Sequence, residues 1–173
     1  MKKAKKAKRV VAPAPTAFAR AAIRAKVPLR VGKSALKNEY RDSLSLHAQC
    51  KHTESIDLDL HFLEAEPNSP RWDYGVGVES KGEEFVFWVE PHPASSTGEV
   101  GKVTRKAKWL REKLSSDAFA ELDHLTRRTS LAGYKPLQWV FSGELRIVPG
   151  SKEARALAQA GIAFPSRHIK LPV

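Results

Sequence analysis

The chain has 173 residues, enough for one domain with a real core, and 42% of them are hydrophobic, which excludes a chain disordered throughout. A lone cysteine, Cys50, excludes an internal disulfide and any cysteine-based zinc site. The net charge of +11 belongs to one segment: residues 1–33 hold eleven Lys/Arg and no acid, leaving 19 basic and 19 acidic residues in the rest, so a basic groove on the body does not follow from it.

No apolar run of about 18 residues occurs, so no membrane span is expected. No apolar segment of about 7–15 residues follows the basic N-terminus, so no secretory signal is expected. With the single cysteine, this fits a reducing compartment, a cytoplasm of bacterial type, where the basic segment would also favour the nucleoid.

In chain order, residues 1–33 read as a basic, largely disordered arm. Its clustered lysines repel and Pro13 and Pro15 favour an extended chain. Within it, residues 16–26 have the makings of a short helix stopped by Pro28. A single domain is expected over 34–173. Leu36, Tyr40 and Leu44 share a stripe that predicts a helix over 34–48. Ile56, Leu58, Leu60 and Phe62 alternate with polar residues and predict a strand over 55–63. Strands follow at 72–79 and 84–90, joined at Lys81-Gly82. The second of them, Phe85-Val86-Phe87-Trp88-Val89, is apolar on both faces and should lie inside the sheet.

Pro91 and Pro93 end that strand. A helix is expected from about Ser95 to Leu114, with Val103, Ala107, Leu110 and Leu114 as its apolar stripe. Another helix is expected over 117–127, then a strand at 137–141 that continues through 145–148. A helix over 152–160 closed by Gly161 and an edge strand within 162–171 complete the chain. This order predicts an α+β (α/β) domain with a central mixed β-sheet flanked by helices.

The chemistry-bearing residues gather around the two central strands. Asp73 begins one and Glu90 ends the other. Two carboxylates at neighbouring strand ends suffice to hold Mg²⁺ or Mn²⁺, because such hard cations take one or two protein carboxylates and fill the rest with water and phosphate. His92, two residues on, shares a face with Glu90. A cation there polarises a phosphate and generates hydroxide, and a basic side chain nearby orients the water.

Asp73, a hairpin, a hydrophobic strand ending in Glu90-x-His92 and a Lys-rich helix together resemble the PD-(D/E)xK, or restriction-endonuclease-like, superfamily over roughly residues 34–171. The resemblance implies a restriction-endonuclease-like core and a metal-dependent nuclease, with Asp73 and Glu90 as metal ligands. Two departures stand out. Trp72 precedes Asp73 where the motif has Pro, and His92 occupies the motif's Lys position. Some members supply that lysine from the following helix. Lys106, which flanks the apolar stripe, is the first candidate, and Lys102, one turn earlier, is the second.

Lys102, Arg105 and Trp109 are the expected nucleic-acid contacts, Trp109 by stacking on bases from off the stripe. Glu39 is an outlying acidic candidate. The alternative functional reading is a non-catalytic nucleic-acid-binding or interaction protein on the same fold. A further one is a structural domain in which Glu90 is neutralised internally.

Overall fold

The computed structural model describes residues 14–172. The first helix, α1 (Ala17–Arg24), is capped by Thr16, whose side chain accepts the Ala19 amide. It buries Phe18, Ala21 and Ala22. Strand β1 (Leu29–Val31) follows Pro28 and pairs antiparallel with β3 (Cys50–Asp57). Residues 16–31 therefore belong to the folded domain, which corrects the boundary expected at residue 33. Basic residues of that segment project outward while its small and aromatic ones pack inward. Of the arm expected to be largely disordered, residues 1–13 lie outside the described residues.

The central sheet runs β1-β3-β4-β5-β6, with β4 (Tyr74–Ser80), β5 (Glu83–Pro91) and β6 (Leu137–Val140). Every neighbouring pair is antiparallel except β5–β6, which is parallel, so the sheet is mixed. Helix α4 (Gly98–Leu114) provides the crossover between β5 and β6, with α5 (Ala120–Leu131) between α4 and β6. This is the α+β architecture expected.

Strand β5 is interior for the reason its composition implied. Val86 and Trp88 face α1, α4 and α5, while Phe85, Phe87 and Val89 face the opposite layer with Leu36, Leu44 and Ile169. Gly75 and Gly77 on β4 are small for packing reasons. A Cβ on Gly75 would lie 2.7 Å from the Trp88 ring, and one on Gly77 would lie 2.9 Å from Phe18 Cγ.

The helix expected over 34–48 is replaced by a four-residue turn of helix, α2 (Asn38–Arg41), and a short strand, β2 (Leu44–Leu46). Long cationic side chains take the carbonyls that helical hydrogen bonds would have used. Lys33 Nζ donates to the Leu44 and Arg41 carbonyls, and Arg41 to those of Leu36 and Ser34.

The strand expected over 55–63 starts earlier and stops at Asp57. That carboxylate caps α3 (Leu58–Phe62), accepting the Leu60 amide at 2.8 Å. No strand forms over 145–148, where a single bridge joins Leu145 to Ala94. Helix α6 (Lys152–Gln159) ends near Gly161, whose φ of 62° suits a residue without Cβ. The closing strand, β7 (Ile169–Leu171), pairs with β2 in a separate parallel two-stranded sheet. Among the described residues no helix is long and apolar enough to cross a membrane.

Because α1 covers part of the core, removing residues 1–33 exposes the faces of β3, β5 and α5 that it packs on and deletes an edge strand. The truncated chain is expected to lose cooperative thermal unfolding by circular dichroism. A sharp transition at the full-length temperature would show that α1 is dispensable.

Candidate active site

The register Tyr74↔Val89, carried one step outward, sets Asp73 opposite Glu90 at one end of the sheet. The Asp73 amide donates to Glu90 Oε2 at 3.1 Å. Glu90 is 0% exposed. A carboxylate so buried needs a partner for each oxygen. Its Oε1 receives Lys106 Nζ from the middle of α4. The same ammonium reaches Asp73 Oδ1 at 2.8 Å. One positive charge thus sits at the point where two carboxylates converge.

His92 follows β5 and is fixed from β6: its amide donates to the Val140 carbonyl at 2.9 Å, and its carbonyl accepts Trp139 Nε1 at 2.8 Å. The ring spans two carboxylates. Nε2 lies 2.7 Å from Glu99 Oε2 and Nδ1 lies 3.6 Å from Glu90 Oε1. Glu99, in the first turn of α4, also accepts Lys102 Nζ at 3.0 Å. These contacts with Lys102 and His92 hold the Glu99 carboxyl below the usual range.

Of the residues singled out beforehand, Asp73, Glu90, His92 and Lys106 are brought together. Lys102 stands at the rim through Glu99, and Arg105 is exposed on the same helix. Trp109 requires correction. It is 5% exposed, its Nε1 donates to Glu66 Oε2 at 2.7 Å, and its ring meets Phe62 edge-on. Helix α4 is gripped on a second side by the Phe62–Glu66 segment, so a position off the main stripe is still core, and Trp109 is closed to bases. Glu39 is exposed, next to Tyr40, whose phenol is pushed up by burial first, then by Glu39, with Asp73 and Glu90 adding to the effect.

One residue that touches the site, Glu99, escaped sequence reasoning. Glu99 had a readable signal, an acid in the first turn of the helix that carries Lys106.

Burial, and next the charge of Glu90, push the Asp73 carboxyl up from 3.8 to about 7, outweighing the attraction of Lys106. The folded protein therefore holds a proton on Asp73 that the unfolded chain has released. This group's contribution to stability is fully present below the ordinary value and is lost as pH rises toward 7. Asp73→Asn is expected to gain on the wild type as pH rises from about 4 to about 7 in denaturant unfolding, with no further change above that. An unchanged difference across that window would contradict the raised value.

Among the described residues no group of three or more His, Cys, Asp and Glu is set to hold a metal. The oxygen pair of Asp73 and Glu90 nevertheless suits a hard divalent cation that keeps most of its water. Its shared point already takes a cation, Lys106, and Asp73 remains pushed up despite that charge. Comparison with protein-family models, with curated proteins and with solved structures finds no match for this chain.

Proposed function

We propose that this chain is a divalent-metal-dependent nuclease that hydrolyses phosphodiester bonds in nucleic acid. The observation that carries the proposal is the Asp73–Lys106–Glu90 cluster: two carboxylates from neighbouring strands and a lysine from the next helix meet at one point. The element order supports it too, since three antiparallel strands, a crossover helix and a parallel strand accompany the PD-(D/E)xK-like motif. On this reading the motif's missing lysine is replaced by Lys106.

Asp73 and Glu90 would hold Mg²⁺ or Mn²⁺, which supplies polarisation of the phosphate and an acidified water. Lys106, on the same carboxylates, orients the attacking water or neutralises charge that develops on phosphorus. His92, steadied by Glu99, stands beside Glu90 Oε1 to accept or return a proton. Lys102 and Arg105 offer phosphate contacts along α4.

The direct test is incubation of purified protein with single- and double-stranded DNA and RNA in Mg²⁺ or Mn²⁺. Cleavage that stops with chelator is expected; intact substrates under every condition would overturn the proposal. The alternative of binding without cleavage draws on the eleven Lys/Arg of residues 1–33 and a cytoplasmic, nucleoid-associated setting. It is favoured if nucleic acid is bound with steep salt dependence and never cut.

A further inference from the structure

A second concavity opens at the same end of the sheet, one strand over from the carboxylates. Asp57, at its wall, pairs with Tyr74, the residue after Asp73, and the Leu58 amide donates to the Asp73 carbonyl at 2.7 Å. Its wall is thus built on the strand next to the one that Asp73 precedes. Its volume is about 350 Å³, at the small end of ligand pockets.

Its composition is unlike the site's. Pro28, Ala35 and Leu60 give apolar walls, and Arg30, Ser34 and His61 give polar ones. Leu60 is 65% exposed, an uncovered apolar side chain beside a charged centre. Arg30 is exposed and enters no ion pair among those of the described residues. Lys37 adds positive charge close by, where it draws the Asp57 carboxyl down against the stronger upward effect of burial. Cations thus stand on both sides of the carboxylates: Arg30 and Lys37 here, Lys102 and Arg105 on α4.

We propose that this cavity receives the nucleotide next to the scissile phosphodiester, with its base or sugar against Leu60, Pro28 and Ala35 and its phosphate toward Arg30. The proposal rests on the nuclease reading and sharpens it to a substrate class. A base stacked inside a duplex cannot enter a side pocket without being unstacked. The preferred substrate is therefore a single strand or an unpaired end, in DNA or RNA.

The test measures binding of fluorescein-labelled oligothymidine, oligouridine and a blunt duplex of equal length by anisotropy. It uses the full chain in chelator at physiological ionic strength, as wild type and as the Arg30→Ala/Leu60→Ala double variant. Both positions are exposed, so the fold should survive. The wild type is expected to bind a single strand at least about tenfold more tightly than duplex, and the double variant to lose about tenfold on the single strand with duplex binding unchanged, about 1.4 kcal/mol. Equal binding by the variant, or a wild-type preference for duplex, overturns the pocket. Repeating the series with Mn²⁺ separates the two claims. Cleavage that ignores Arg30 and Leu60 removes the pocket and leaves the nuclease. Pocket-dependent binding with no cleavage removes the nuclease and leaves the pocket.

Discussion

Glu90→Gln is expected to abolish metal-dependent cleavage, by about 10²–10³-fold or more, while the protein stays folded. The substitution keeps the shape of the side chain and an oxygen to accept the Asp73 amide. It removes the negative charge that holds Lys106 and, with Asp73, would hold the divalent ion. Since Glu90 is fully buried, its removal acts on the site directly and not through solvent. The measurement is initial cleavage rate beside a melting curve of the same sample. Wild-type rates in a folded Glu90→Gln protein would remove Glu90 from the chemistry.

Lys106→Met is the second large effect, and it falls on stability as well as catalysis. Without the ammonium, Asp73 and Glu90 face one another with no cation between them. Removing one member of a buried pair commonly costs about 3–5 kcal/mol. Asp73, already pushed up to about 7, takes a proton at neutral pH and holds the loss near the lower end. For a chain of this size that is roughly 6–12 °C in melting temperature. Divalent cation should restore part of the loss, because an ion bound only by the folded state stabilises it. A melting temperature equal to wild type would mean the pair carries no stability. Destabilisation that Mn²⁺ cannot relieve would argue that these carboxylates do not take a metal.

The site was legible in the sequence to the extent that regular elements carry it. Glu90 was found because five apolar residues before it mark an interior strand, and an interior strand delivers its last carboxylate into a dry place. Lys106 was found because it flanks a clean stripe on a regular helix, where angular position follows from residue number. The same device failed at Trp109. A helical wheel knows one buried face, and α4 has two, the second made by Phe62 and Glu66 from a distant stretch of chain.

The segment 34–48 was misread for a related reason. Leu36, Tyr40 and Leu44 repeat at helical spacing, yet the backbone is held by Lys33 and Arg41 side chains in an irregular path. No periodicity records such bonds. That path places Ser34 and Ala35 at the second cavity. Net charge misled at α1 because it counts side chains and not where they point. The exposed side of α1 carries Arg20 and Arg24, and its other side carries Phe18 into the core.

Calorimetric titration of Mn²⁺ into the full-length protein, wild type beside Glu90→Gln, asks most directly whether Asp73 and Glu90 form a cation site. It needs no choice of substrate. Saturable binding by the wild type that disappears in Glu90→Gln is the expected result. Equal binding by the two proteins, or none by either, would contradict a divalent-ion site at Asp73 and Glu90.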